Sequence, residues 1–465
     1  MTMDVSAKDN TFFTRDKEFY KSFFKMMILL AAQNIITYTV NVADNVMLGR
    51  YSQTALAGAS AINQLQYILQ MFVRDGLGSG LLILASRAWG KKDTEGVRKV
   101  AGIALSFGIM VGIILTTVAI LSPYSLARIF TDDAAVLDEA VEYLSIIRYT
   151  YIIFIISCIL IISLQSIQIV GISFRISCLT LVINVVINYL LIFGHFGAPE
   201  MGIKGAAIGT LVARIIELII LLLYIRKPTI PVRFSLPRLK YSERVLIGEY
   251  IRVSVPCVVS ALLFSSATAV QTVIFGHISV DAMAAASVAG VLYQYCKMIP
   301  SAAAGTTNVH IGKTIGSNDM GKLRSYVRTL QVIFAGIGVI ICIILLILRK
   351  TVLQFYVLTP QAYEYALQMT LILAIIAIGM SYQAPCQIGI IRGGGDTRYV
   401  MISDIIYSWL IVIPLSLIMA FVLHMPFAVI AICLNCDQIL KCITVSKKVR
   451  SFTWIKKINI GGKIE

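Results

Sequence analysis

Charge is scarce in this sequence. Asp, Glu, Lys and Arg make up only 14% of its 465 residues, where a soluble domain carries roughly a quarter. That shortage excludes an ordinary soluble enzyme, a disordered chain and a charged coiled coil. Histidine is scarce as well, four in all, and His195, His277, His310 and His424 share no metal-ligand spacing. Short strands of alternating polarity, which a membrane β-barrel needs, are missing. The opening stretch Met1–Lys25 has no apolar run followed by a cleavage site and is not read as a secretory signal. No clustered catalytic set marks an enzyme, and no filter or repeated pore-lining ring marks a channel. The nine cysteines lie in or beside apolar runs and form no loop framework, so free thiols are expected. Cys433 and Cys436 make a CxxC pair, but no second ligand pair accompanies it.

Apolar residues are plentiful: 58% of the chain, with a mean hydropathy of +0.84. They fall in twelve segments, near 24–48, 58–85, 100–122, 144–168, 176–194, 205–225, 251–276, 283–310, 327–348, 366–391, 400–422 and 427–446. Each is long enough to cross about 30 Å of hydrocarbon as a helix. A backbone in lipid must satisfy its own hydrogen bonds, so the expected fold is an all-α polytopic membrane protein. The net charge of +16 is not a nucleic-acid signature, because the positive residues sit in short gaps between apolar runs. With the N-terminus placed inside, 31 Lys and Arg fall in inside gaps and 6 in outside gaps. The bias puts both termini in the cytoplasm. The outside gap 123–142, with Asp132, Asp133, Asp138, Glu139 and Glu142, reads as a surface amphipathic stretch.

The longest gap, Arg226–Arg252, is basic and carries Pro228, Pro231 and Pro237. It divides the chain into a first lobe over 1–225, a cytoplasmic linker over 226–250 and a second lobe over 251–465. An internal repeat supports the division. Shifted by 227, Val46, Gly49, Ala55, Ala57, Ala59, Ser60 and Gly78 land on Val273, Gly276, Ala282, Ala284, Ala286, Ser287 and Gly305. With one residue less, Gly90, Asp93 and Arg98 land on Gly316, Asp319 and Arg324. Six segments per half give two lobes of the same orientation, related by a pseudo-two-fold axis along the membrane normal, with a cleft between them.

Charges inside apolar segments are costly and mark candidate sites. Asp44 is the carboxylate of the first segment, and its repeat counterpart is the neutral Gln271. Asn184 and Asn188 are four apart, so both side chains leave one face of a helix. Their plain alternative role is helix–helix hydrogen bonding. Arg74 and Asp75 lie mid-way along the second segment, where the repeat has Ser301 and Ala302. Adjacent helical side chains diverge by about 100°, so these two need different partners. They read either as charges paired across helices or, with Gln271, as lining of a substrate cleft. Arg214 and Glu217 are spaced to pair, as are Asp437 and Lys441. Asp404 and Lys297 have no partner evident in the sequence.

Five motifs in order carry a resemblance. They are Asp44-Asn45-Val46-Met47-Leu48-Gly49-Arg50, Trp89-Gly90-Lys91-Lys92-Asp93, Asn184 to Asn188 running on to Gly194, Gly202 through Gly205 to Thr210, and Arg392-Gly393-Gly394-Gly395-Asp396-Thr397. Together they span most of the chain, which resembles the multidrug and toxic compound extrusion (MATE) family of secondary transporters. Two departures are visible. Leu29 stands where the family commonly has a proline, whose second-lobe counterpart here is Pro256. Phe264 and Ser381 stand where one branch carries acidic residues.

The resemblance implies a first-lobe cation site built from Asp44, Asn184, Asn188 and Thr210. It also implies a secondary antiporter, not an enzyme, that exports organic, often cationic or amphiphilic solutes by alternating access. Sodium or proton influx would drive it. No cofactor is expected, and no metal beyond sodium at the cation site. The expected setting is the cell membrane, as a monomer with no nucleic-acid partner. A lipid-linked oligosaccharide flippase of the same superfamily is the alternative.

Overall fold

In hydrocarbon a chain this apolar has one economical backbone solution, and the computed structural model takes it almost everywhere. It describes residues 13–232, 244–356 and 358–458. The central part of the linker, Pro237 included, and both chain ends lie outside the described residues. The helices are α1 (Lys17–Tyr51), α2 (Gln53–Gly90), α3 (Thr94–Leu121), α4 (Pro123–Arg128), α5 (Ala134–Ile147), α6 (Thr150–Ser166) and α7 (Gly171–Phe193). They continue with α8 (Gly202–Ile225), α9 (Arg244–Ile278), α10 (Val280–Gly316), α11 (Met320–Leu353), α12 (Pro360–Ile391), α13 (Thr397–Val422) and α14 (Phe427–Ser451). Among the described residues there is no strand, only an isolated bridge between Gly395 and Ile455.

Ten of these helices are long and apolar enough to cross a bilayer, and α5 with α6, bent by 53°, is long and apolar enough only when the two are taken together. The remaining apolar segment is α10, a 37-residue helix diluted by Asp281, Lys297 and Lys313. The fourth expected segment, 144–168, is corrected here: it begins inside α5 and breaks at Arg148–Tyr149. The outside gap is also more than a surface stretch. Asp133 caps α5 by accepting from Val136 N at 3.0 Å, and the apolar face of α5 buries Leu137, Ala140, Tyr143, Leu144 and Ile147.

The repeat is visible in local devices. Ser52 and Ser279, 227 apart, cap α2 and α10 by accepting from Ala55 N and Ala282 N. Asp93 and Asp319 cap α3 and α11 through Gly96 N and Lys322 N. The residue before each aspartate, Lys92 and Asn318, is left-handed, with φ of 61° and 58°. Identical turns at equivalent positions are what a duplicated sequence produces.

The chain packs as two units. One comprises residues 32–85 and 93–251 and is called the first unit. The second gathers residues up to Ala31, Ser86–Lys92 and Arg252–Ile458. In the first, α8 packs along α7, α5 on α2 and α3 on α6. In the second, α12 packs against α10 and α11. Its core includes Phe275, Phe427 and Tyr365, with the Tyr365 and Phe427 rings stacked at 4.5 Å. A second stack, Phe19 on Tyr326 at 4.0 Å, seats the start of α1 on α11. Within this unit the ends of α2 and α10 cross at Gly90 and Gly316. A Cβ on Gly316 would sit 3.0 Å from Gly90 Cα and would overlap the Arg87 carbonyl.

Four stretches are π-helical: Met71–Leu77, Pro385–Ile391, Ile405–Val412 and Ile418–Val422. Pro385 opens one of them and lacks the N–H that a regular turn requires. Such turns recur at functional sites, and here they hold Arg74, Asp75 and Gln387. By contrast α1 runs unbroken through Leu29.

Candidate functional site

Polar side chains from five helices of the first unit converge on Asp44. On α7, Asn184 and Asn188 are 1% and 0% exposed, and their i, i+4 spacing sends both amides the same way. Asn188 Nδ2 donates to Asp44 Oδ1 at 2.6 Å and also approaches Asn184 Oδ1 at 3.4 Å. Asn184 Nδ2 donates to Thr210 Oγ1 on α8 at 3.3 Å. The close seating of Asn188 depends on Gly209, where a Cβ would overlap Asn188 Oδ1. Thus the structure brings together all four residues of the expected cation set.

Two members were not read from sequence. Tyr143 of α5 is 3% exposed and donates to Asn63 Oδ1 of α2 at 3.4 Å, with Thr210 beside it. Nothing in the sequence marks Tyr143, because the acidic gap 123–142 just before it gives no sign that one face of α5 is buried. The donor set fits a hard monovalent cation. It offers a carboxylate, two amide oxygens and a hydroxyl, and Asn188 Oδ1 is buried without a hydrogen-bond donor. A buried acceptor left unpaired costs about 1–3 kcal/mol unless something satisfies it.

Arg214 and Glu217 pair at 2.8 Å, as their spacing indicates, and the guanidinium lies 5.2 Å from the Phe154 ring centroid. A narrow cleft of about 20 Å³ is lined by Gln66, Gln70, Tyr151, Thr210 and Arg214, among others. An apolar groove of about 200 Å³ shares Leu69 and Tyr151 with it. Thr210 therefore belongs both to the Asp44 cluster and to the cleft wall.

The remaining candidates are dispersed. Arg74 donates through Nη2 to Asn34 Oδ1 of α1 at 2.6 Å, so its partner is a neutral amide on another helix. Asp75 is half-buried and lies near Tyr67. Gln271, in the second unit, donates to the Leu434 carbonyl at 3.0 Å, beside the break in α14 at Cys436. Lys297 stacks over Phe264 at 4.7 Å. Asp404, without an evident partner in sequence, meets Lys441 at 3.1 Å, and Lys441 also meets Asp437 at 3.2 Å. All nine cysteines are free.

Comparison with known proteins supplies an independent finding. The MatE family model matches residues 30–190 and 256–418. The "Probable multidrug resistance protein YoeA" of Bacillus subtilis (strain 168) is 22% identical over 405 residues, covering 86% of this chain and 87% of the relative. The "Probable multidrug resistance protein NorM" of Thermotoga maritima is 25% identical over 407 residues, 86% of each. Among solved structures, the eukaryotic MATE transporter AtDTX14 superposes with a TM-score of 0.81 at 20% identity, covering 94% of this chain and 96% of that one. A MOP superfamily transporter from Pyrococcus furiosus gives a TM-score of 0.84 at 16% identity, covering 94% and 97%. These two likenesses carry the fold.

Proposed function

We propose, from the premise that this chain belongs to the MATE family of multidrug efflux transporters, that it is a secondary antiporter exporting small organic solutes against an inward flow of sodium ions or protons. It is a multi-pass membrane transporter; the ion coupling and the exchange mechanism are our reading. The supporting observation is the 2.6 Å bond from Asn188 to Asp44 beside an Asn188 Oδ1 that has no donor.

In this reading the Asp44 carboxylate is the exchange group. With no ion bound, the Asn188 amide donates to it. A sodium ion would take oxygens from Asp44, Asn184, Asn188 and Thr210, after the Asn188 amide turns to present its carbonyl. A proton would instead bond to a carboxylate oxygen. Either event removes one negative charge from an apolar setting, where such a charge is costly. Thr210 links this change to the cleft, whose apolar annex accommodates an amphiphilic solute. Arg74 and Asp75 are proposed as solute contacts of the first unit, and Gln271 as one of the second. The lobes 1–225 and 251–465, joined by 226–250, would alternate access as a monomer in the cell membrane, with both termini cytoplasmic. The relatives named above do not favour the flippase alternative.

The test uses purified protein in proteoliposomes loaded with ethidium, with a sodium or a pH gradient imposed alone. Uphill ethidium transport under one of them is expected, abolished in Asp44→Asn at equal membrane abundance. Full uphill transport by Asp44→Asn would place the exchange group elsewhere.

A further inference from the structure

The second unit brings three charges together, two of them buried and Asp404 half-buried. Lys441 of α14 is 4% exposed and Asp437, one turn earlier, is 6% exposed. The ammonium lies 3.1 Å from Asp404 Oδ1 and 3.2 Å from Asp437 Oδ2. Asp404 is engaged through both oxygens: Ser260 Oγ of α9 donates to its Oδ2, while Gln387 Nε2 of α12, at 3.1 Å, and Lys441 donate to its Oδ1. Asp437 is not. Its Oδ2 takes Lys441 and, at 2.9 Å, Gln438 Nε2, whereas its Oδ1 has no donor among the described residues. Gln438 Oε1 in turn accepts from Gln383 Nε2 at 2.8 Å. Gln383 Oε1, on a side chain only 6% exposed, has no partner. Tyr293 of α10 and Cys436 of α14 are further ionisable side chains facing Asp437; Lys297, one turn after Tyr293 on α10, lies over Phe264 of α9, and α9 and α12 contribute the non-ionisable Ser260, Gln383 and Gln387.

A structural ion pair needs one carboxylate per ammonium. Here two carboxylates share one, which leaves these three groups with a net charge of −1 within helices that cross the membrane. An uncompensated charge there is expensive, and stability alone does not favour retaining it. Backbone irregularity brings the set together. Asp404 directly precedes the π-helical Ile405–Val412, Gln387 lies in Pro385–Ile391, and Asp437 follows the break at Cys436.

We propose that Asp404, Lys441 and Asp437 form a second ion-exchange site, at which one monovalent cation neutralises the carboxylate that Lys441 leaves uncompensated. Lys441 acts as a tethered cation that satisfies Asp404 and directs the mobile one to Asp437. If the ion is a proton, an O–H bond forms at Asp437 Oδ1, no bond breaks in the chain, and the network passes from −1 to neutral. If it is an alkali ion, the same oxygen is its charged ligand. The inference rests on the antiport reading and adds to it a second coupling ion, carried by residues distinct from the Asp44 cluster.

The experiment counts coupling ions. Proteoliposomes are held at zero potential with valinomycin and equal potassium, and ethidium distribution is measured at steady state under a tenfold gradient of protons alone or of sodium alone. Two ions exchanged per ethidium sustain a concentration ratio of about 100, and one ion about 10. The wild type is expected near the higher value under one of the two gradients, which identifies the ion. Asp437→Asn, which leaves the neutral Asp404–Lys441 pair intact, is expected near the lower value. Asp437→Glu restores the charge and should return toward the higher one. A wild-type ratio near 10, or an Asp437→Asn ratio equal to wild type, overturns the second site while leaving Asp44 coupling standing. No gradient-driven transport in the wild type overturns the antiport reading and this inference with it.

Discussion

At the scale of single residues, the first unit shows why two asparagines and a threonine matter more than their neutral chemistry indicates. Asn184, Asn188 and Thr210 form a hydrogen-bonded chain that ends on Asp44, so each fixes the orientation of the next. Truncating one removes an oxygen ligand and frees its neighbour to turn. Asn184→Ala, Asn188→Ala and Thr210→Ala are each expected to raise the ion concentration for half-maximal transport about tenfold, corresponding to about 1.4 kcal/mol. Ethidium affinity at saturating ion should change little. Loss of ethidium binding at saturating ion in all three would move these residues from the ion to the solute. The residue scale also defines the limits of sequence reading. The i, i+4 asparagine pair is legible because helical periodicity alone sets its direction. Tyr143 and Asn63 are not, because their meeting depends on how α5 lies on α2.

At the scale of elements, helix ends carry much of the specification. Asp16 sits just ahead of α1 and its Oδ1 accepts from Glu18 N and Phe19 N at 3.0 and 3.2 Å. Its Oδ2 accepts from Tyr326 of α11 at 2.7 Å. The Tyr326 hydroxyl, ahead of the two backbone amides, holds the Asp16 carboxyl below the usual carboxylate range. A lowered folded-state pKa contributes stability that is complete above the unfolded value, about 4, and is lost as pH falls through the folded one. Asp16→Asn, which keeps a capping oxygen but removes the charge, should therefore lower the melting temperature of detergent-solubilised protein near neutral pH, by the equivalent of about 0.5 kcal/mol. The gap between variant and wild type should close as the pH drops below about 4. A gap that stays constant across that range would mean that the charge of Asp16 contributes nothing. The repeated caps at Ser52 and Ser279, and at Asp93 and Asp319, belong to this scale too; the sequence repeat matched Asp93 to Asp319, and the structure shows all four as caps. The π-helical turns were not readable. Met71–Leu77 contains no proline, and nothing local distinguishes it from ordinary helix.

At the scale of the whole molecule, orientation follows from charge in the gaps between helices. With the cytoplasmic linker and termini proposed above, single cysteines placed at 226–232 in a cysteine-free background should react with an impermeant maleimide only from the cytoplasmic side. Those at 132–139 should react only from outside. Residues 132–139 bracket the cap of α5, whose exposed face carries Asp138, while Glu139 packs beside Gly58 of α2. The reverse labelling pattern would invert the topology and with it the direction of coupled flux.

Hydropathy, the twelve apolar segments, the duplication and the family motifs are all properties of order along the chain, and the sequence by itself determined them. The physical reason is that lipid forces each apolar run to satisfy its own backbone, so segment identity needs no tertiary information. The Arg214–Glu217 and Asp437–Lys441 pairs were legible for the same reason: both lie within one helix, one turn apart. Only the tertiary structure decided that Asp404 completes a triad with Lys441, that Gly209 makes room for Asn188, and that Arg74 ends on the Asn34 amide. Those contacts join residues 37, 21 and 40 positions apart on different helices. Their existence depends on helix rotation and crossing, which side-chain packing sets and residue order along a single helix does not.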